Sequence, residues 1–427
     1  MNQPDASAVP SLVDHLFREN AGYLVARLTR IFGSRYIDDA EDVVQEVMMR
    51  ALKSWPYSGV PDNPTAWMVR VAKNRALDLV RHHQVFRHKQ DLFAATLAEW
   101  HESEADATDS AFAHEVRDEQ LRMMFMCCHP EIPSEGRMAL TLKMVGGFSS
   151  GEIARAFLSS EPTVAQRIVR AKRKIRGLAL PFEMPPSTAL PERIDSVMRV
   201  LYLMFNEGHS AHEGKQHVRA DLCRNALRLV RILAEHPLTA SGEVFALTAY
   251  FHFQAARLPA RCDRNGQPVL LAHQNRALWD QQMIGQGVVW MARSALGDRL
   301  TAYHLKAEIA SCHALAARAE ETDWPRILHL YDLLLNVSGD AVVALNRVVA
   351  LAEVESAPVA LKALTELAGE PRLENYLPYH ATRAELHARC GESEAARQAY
   401  RRALTLAMSE PVSRYFRARL DEFTDDE

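Results

Sequence analysis

The stretch "GGFSSGEIARAFLSSEPTVAQRIVRAKRKIRG", residues 146–177, decides how this chain folds. A glycine pair precedes Ser149, and Glu152 stands three positions later, the spacing of a capping box that opens a short helix. Ile153, Ala154 and Phe157 form the inward side of that helix, and Leu158 to Glu161 make a tight turn. Pro162 sits where a second helix can begin, because its missing N–H costs nothing there. Val164, Ile168, Ala171 and Ile175 then recur at helical spacing as one apolar stripe. Arg167, Arg170, Lys172, Arg173, Lys174 and Arg176 occupy the remaining faces. Alone, such a run reads as a solvated helix face. Behind a capped helix and a turn it reads as a helix-turn-helix, whose second helix can enter the major groove while its cations hold phosphates.

The rest of the composition sets this stretch apart. The 427 residues carry a net charge of -4, so the basic helix is a local concentration in a mildly acidic chain. A hydrophobic fraction of 48% and a charged fraction of 24% are ordinary for a globular protein, and the length allows two to four domains. Ala, Leu and Arg recur while aromatics are sparse, a mix that favours helix over strand and predicts an all-α fold. No run approaches the roughly 18 apolar residues of a membrane span. The opening "MNQPDASAVPSLVDHLF" has neither a basic start nor an apolar signal core, which predicts a cytoplasmic protein with no membrane partner. The six cysteines are scattered apart from the pair Cys127 and Cys128, and read as reduced thiols, mostly core residues.

Upstream, "DDAEDVVQEVMMRALKSW" (38–55) places Val44, Val47, Met48, Ala51 and Trp55 on one stripe. Asp39, Glu41, Asp42, Gln45 and Glu46 gather at its exposed start. Acidic residues at a helix N-terminus suit the macrodipole unaided, and they equally make a docking surface for a basic partner. Next, "PTAWMVRVAKNRALDLVRHH" (64–83) turns Met68, Val71, Ala72 and Leu79 inward, while Arg70, Lys73, Asn74, Arg75, Asp78 and Arg81 line outer faces. Trp67 reads either as core or as an aromatic platform for an unstacked base. The acidic segment 99–119 looks like a linker, helical at its C-terminal end, and "PFEMPPSTALPE" (181–192) marks a boundary.

In this order, the segments resemble the extracytoplasmic-function group of sigma factors. "DAEDVVQEVMMRAL" is similar to the region 2.2 helix that docks on the β′ coiled coil of core RNA polymerase. "AWMVRVAKNRALDLVR" resembles regions 2.3 and 2.4, which open and read the −10 element. "RMALTLKMVGGFSSGEIARAFLSSEPTVAQRIVRAKRKIRG" resembles region 4, which reads the −35 element and meets the β flap. The resemblance implies polymerase docking by Asp39, Glu41, Asp42, Gln45 and Glu46, and −10 contacts from Trp67, Arg70, Lys73, Asn74, Arg75, Asp78 and Arg81. It implies −35 contacts from Thr163, Gln166, Arg167, Arg170, Lys172, Arg173, Lys174 and Arg176. The partners are then core polymerase and promoter DNA, with no cofactor and no catalysis by this chain. The expected domains are region 2 (1–90), an acidic linker (91–117), region 4 (118–180) and a helical extension (181–427).

Most members of that group end near residue 178. "LYLMFNEGHSA", "TDWPRILHLYDLLL" and "VALNRVVALAEVE" resemble the subgroup with a TPR-like C-terminal extension, expected to regulate the sigma regions and to bind an unknown protein or ligand. Within it, Ala384, Gly391, Ala396, Tyr400 and Ala403 fall near the small-large-small positions of a 34-residue helix-turn-helix repeat. Two competing readings are a stand-alone helix-turn-helix repressor, which leaves the acidic helix start unused, and a TPR-type scaffold. "GHSAHEGKQH" (208–217) imitates a phosphate loop, but its spacing is one residue too long and Gln216 replaces the magnesium-holding Ser or Thr. Its His209, His212 and His217, with Glu207 and Glu213, could hold a metal and read better as a polar loop. Cys127, Cys128 and His129 suggest zinc or a redox switch, yet the apolar "LRMMFM" before them favours helix packing.

Overall fold

Every regular element among the described residues is helical, and a lone bridge between Cys262 and Pro268 is the strand-like pairing found there. The computed structural model describes residues 9–82, 93, 95–97, 100, 109–157, 159–209, 219–297 and 299–423. The chain divides into two compact units, Met1–Val200 and Leu201–Glu427. The all-α expectation holds.

The first unit contains α1 (Val9–Phe32), α2 (Ile37–Ser58), α3 (Pro64–His82), α4 (Asp109–Cys127), α5 (Ser134–Met144), α6 (Ser150–Ala156) and α7 (Glu161–Leu178). Ile37, Ala40, Val43, Val44, Val47, Ala51 and Trp55 are the buried side of α2, wider than the stripe read from sequence. The α2 helix ends at Gly59, whose φ of 79° is left-handed and unfavourable for any residue with a Cβ. Asn63 Oδ1 accepts the Ala66 N–H at 3.0 Å and so starts α3. Trp67 is half-buried and stands edge-on to Trp55, with ring centroids 5.2 Å apart. Trp67 thus packs on Trp55 and stays partly exposed.

The structure adds detail at two boundaries. The acidic segment is not a free linker throughout: Phe93, Leu97 and Trp100 are buried, and the Trp100 indole N–H donates to the Tyr23 hydroxyl at 3.2 Å. Its C-terminal end is helical, as expected: it is α4, where Glu115 and Glu119 meet Arg27 of α1 and dock the helix. Residues 101–108 lie outside the described ones. The Pro-rich stretch also does not end the first unit. The first part of α8 (Leu190–His209) belongs to it: Ser196 Oγ donates to the Cys128 carbonyl at 2.7 Å and accepts from Arg137 at 2.6 Å, while Arg193 donates to the Phe125 carbonyl. These bonds satisfy carbonyls at the C-terminal end of α4, which have no partner within their own helix.

The second unit continues through α9 (Ala220–Glu235), α10 (Gly242–Ala255), α11 (Gln281–Ser294), α12 (Ala302–Leu315), α13 (Trp324–Ser338), α14 (Ala341–Val354), α15 (Ala357–Glu366), α16 (Leu377–Arg389), α17 (Ser393–Leu406) and α18 (Glu410–Asp421). From α12 onward each helix packs on the next in sequence. Ala384, Ala396, Tyr400 and Ala403 share one buried cluster with Phe416. Gly391, at φ 77°, makes the turn between α16 and α17. A groove of about 1080 Å³ runs along this unit, with Trp324, Tyr331, Tyr400, Tyr415 and Phe416 among its walls. Of the phosphate-loop imitation, His209 is described: it stacks on Phe205 and accepts from Arg261 at 3.1 Å. His212, Glu213, Gln216 and His217 lie outside the described residues.

Candidate nucleic-acid interface

The helix-turn-helix forms by the caps that its sequence carries. Ser149 accepts from the Glu152 N–H, and Glu152 returns a carboxylate to the Ser149 N–H at 2.9 Å, closing the capping box of α6. Ser160 caps α7 by accepting from Thr163 N–H at 3.3 Å, so the helix starts at Glu161, one residue before the proline. Phe157 is half-buried, less than expected. Val164, Ile168, Ala171 and Ile175 face inward, as their spacing requires.

The basic residues of α7 separate into three sets. On one flank Arg167 pairs with Glu135 at 2.8 Å and Lys174 with Glu131 at 3.0 Å, both within the same helical bundle. On the other flank Lys172, with a side chain only 8% exposed, pairs with Asp38 at 2.9 Å and with Glu41 of α2. Arg176 joins the same Asp38, and Lys143 of α5 reaches Glu41 at 3.2 Å. Burial would raise the Glu41 carboxyl, but Lys172 and Lys143 outweigh it and hold it below the usual carboxylate value. Between the flanks, Thr163, Gln166, Arg170 and Arg173 form one exposed stripe. Arg170 and Arg173 pair with no described residue. Sequence reading passed over Val169, which lies beside that stripe with half its surface exposed. An apolar residue on the polar side of a helix was the available signal, and its chemistry suits a thymine methyl group.

On α3, Arg70, Asn74 and Arg81 are exposed, while Lys73 and Asp78 are half-buried. Arg75 is turned back to Glu46, which also accepts from Arg50 at 3.3 Å. On α2, Asp42 and Gln45 are exposed, and Asp39, Glu41 and Glu46 are half-exposed. The acidic set is therefore divided: Glu41 and Glu46 are held by cations of this chain, and Asp42 pairs with no described residue. Asp38 and Lys143, absent from the sequence-based sets, are central to the network on α2.

Cys127 and Cys128 are fully buried. Burial pushes the Cys127 thiol well up, and pushes Cys128 up to about 11 against the opposing hydrogen bond from Thr141. Both are packed among the apolar side chains at the end of α4, as the "LRMMFM" run before them suggests. Among the described residues no three His, Cys, Asp or Glu side chains converge as a metal site, and no helix is long and apolar enough to cross a membrane.

Comparison with known families matches residues 16–85 to sigma-70 region 2 and residues 122–175 to sigma-70 region 4. Residues 193–295 match a family of unknown function, DUF6596. An uncharacterized protein of Rhizobium meliloti is 39% identical over 91% of this chain and 90% of its own length. The ECF RNA polymerase sigma factor SigE of Mycolicibacterium smegmatis is 28% identical over 40% of this chain and 63% of its own. The ECF RNA polymerase sigma factor SigK of Mycobacterium ulcerans is 25% identical over 35% of this chain and 79% of its own. No solved structure matches the chain.

Proposed function

This chain belongs to the extracytoplasmic-function sigma-70 factors with a C-terminal extension, and we propose that it docks on core RNA polymerase through α2, reads the −10 element with α3 and the −35 element with α7, under regulation by its second unit. The observation that carries this reading is the free stripe on α7. In a protein where most cations near the site are paired internally, Gln166, Arg170 and Arg173 are left pointing outward at helical spacing, flanked by Val169. Side chains that reach base edges discriminate, whereas cations beside them hold phosphates. On α3 the corresponding group is Arg70, Asn74 and Arg81.

Arg170→Ala in reconstituted holoenzyme is expected to weaken the preferred −35 sequence by about 1–3 kcal/mol more than altered sequences, the cost of a lost bidentate base contact. Lys174→Ala, removing a side chain already held by Glu131, is expected to change affinity little and uniformly. Binding titrations over a set of −35 variants measure both. An equal loss across all variants for Arg170→Ala reduces it to a phosphate contact.

The regulatory role of the second unit rests on its covalent attachment and on its groove, about 1080 Å³, large enough for a ligand of drug size or above. A truncation test must respect the fold. Cutting at Leu180 would remove Arg193 and Ser196, which bond the end of α4, and would damage region 4 itself. A fragment ending at Val200 keeps those residues. Transcription from a cognate promoter is expected to fall at least 10-fold in the shorter protein if the extension acts positively. Equal activity and equal core affinity for fragment and full-length chain would remove the regulatory role.

A further inference from the structure

One end of the groove in the second unit is backed by positive charge that no carboxylate answers. Arg257 and Arg276 both stand on the Trp279 indole, 5.5 Å and 4.5 Å from its centroid. Among the described residues neither forms an ion pair. Arg257 is 6% exposed and donates to the Gln254 amide oxygen at 3.2 Å. Arg276 donates to the His313 and Ala316 carbonyls, each at 2.7 Å, and to Thr322 at 3.3 Å. The Nε atoms of both arginines are buried and bond nothing. Glu320 and Glu321 favour the Arg276 charge without touching it, and Glu321 is itself held by Arg318 at 2.7 Å. Two like charges buried without a counter-ion work against the fold, and perturbed clusters of this kind gather at functional sites.

In front of this charge the groove wall holds open donors. His313 of α12 is 8% exposed, stands edge-on to Trp324 at 5.2 Å, and its ring nitrogens bond no described residue. Burial, then Arg257 and Arg276, push the His313 ring down to about 3, so it is neutral and keeps one N–H to donate. Burial pushes the Tyr331 phenol of α13 up to about 12, so it too remains a donor in the wall. The loop 262–279 closes this end with Leu270, Leu271 and His273, and its Asn265 carbonyl comes within 3.5 Å of Arg414 on α18. Further along, the walls turn apolar at Val412, Tyr415 and Phe416, while Glu353 and Glu385 are answered by Arg389 and Arg419. Negative charge is thus missing at one end only.

We propose that this groove binds an amphipathic organic anion, its head held by His313 and Tyr331 beside the Arg257–Arg276 charge and its apolar body lying along Tyr415 and Phe416. The proposal rests on the regulatory reading of the second unit and gives its signal a chemistry. A volume of about 1080 Å³ is far more than an inorganic anion fills, which calls for the acyl or aromatic body. The closed end calls for a ligand that terminates there in its charge. An anionic head supplies the missing counter-ion and accepts the two free donors in one step.

The test titrates the full-length chain with two fluorescent probes, anilinonaphthalene sulfonate and phenylnaphthylamine, which share their rings and differ in the anion. The sulfonate is expected to bind about 10-fold tighter than its uncharged parent. Arg257→Met removes the buried charge and keeps much of the volume; it is expected to bind the uncharged probe like the native chain and to lose the preference for the sulfonate. Val349→Trp, at a partly exposed position on the α14 wall, fills the groove without touching the charge and is expected to weaken both probes about 10-fold or more. Dodecanoate and dodecyl phosphate then compete with the sulfonate, and the stronger competitor tells a carboxylate head from a phosphate one. Equal binding of the two probes by the native chain overturns the proposal. So does a sulfonate preference that survives Arg257→Met, native-like binding by Val349→Trp, or displacement by neither competitor. Should Arg257→Met fail to fold, the native preference and Val349→Trp decide. No polymerase enters these titrations, so their failure leaves the sigma reading standing. Equal transcription by the Val200 fragment and the full-length chain would remove the regulatory role while leaving the binding result intact.

Discussion

Glu119→Ala is expected to destabilise the packing of α4 on α1 by about 3–5 kcal/mol, the cost of breaking a buried ion pair from one side. The Glu119 side chain has no exposure and accepts from Arg30 at 2.6 Å and Arg27 at 3.3 Å, with Arg122 at 3.5 Å. Its removal strands Arg27, whose guanidinium is itself nearly buried and lies over the Trp100 ring. Glu115 still pairs with Arg27, which places the effect toward the lower end of that range. Arg30 is half-exposed and rehydrates at little cost. Glu119→Gln keeps the volume and an acceptor and is expected to lose roughly half as much. Global melting mixes two units, so the measurement is hydrogen exchange of α1 and α4 amides. A change below about 1 kcal/mol would mean that the cluster is effectively hydrated.

What the sequence declared about the fold was local. The Ser149–Glu152 box and the inward stripe of α7 are each specified by local spacing, and both are present; Leu158, in the turn between the helices, lies outside the described residues. The cluster around Ala384 and Tyr400 lies on two adjacent helices whose residues meet directly. What stayed hidden depends on partners far away in sequence. Nothing near Trp100 announces Tyr23, 77 positions earlier. Nothing in the Pro-rich stretch announces that Arg193 and Ser196, just after it, finish α4.

The candidate site divides along the same line. Periodicity sorted α7 into an inward stripe and a basic remainder, but it could not tell free cations from engaged ones. Lys172 and Arg173 are neighbours with the same charge; one is buried between carboxylates of α2 and the other is open to solvent. Composition marked the start of α2 as acidic without saying which carboxylate is spent internally. Asp38 and Glu41 hold the basic helix, and Glu46 holds Arg75.

That division selects the substitution with the largest expected effect on polymerase binding, Asp42→Lys. Asp42 is exposed and pairs with no described residue, so its charge is available to a partner. It lies past the first turn of α2, where the helix dipole contributes little, and the buried side of the helix lies on other positions. The fold should therefore lose no more than about 0.5 kcal/mol. Glu46→Lys is a poorer probe, because it would also release Arg75 and disturb the α2–α3 contact. Reversing Asp42 places like charges against a basic docking surface, which costs several kcal/mol, or at least about a 100-fold loss of core affinity. Raising the salt should narrow the gap between native and variant protein, since the attraction lost is a screened one. The readout is an equilibrium titration against purified core polymerase, with hydrogen exchange of α2 as the control for folding. Native-like affinity in a folded Asp42→Lys protein would move the docking surface away from this face of α2.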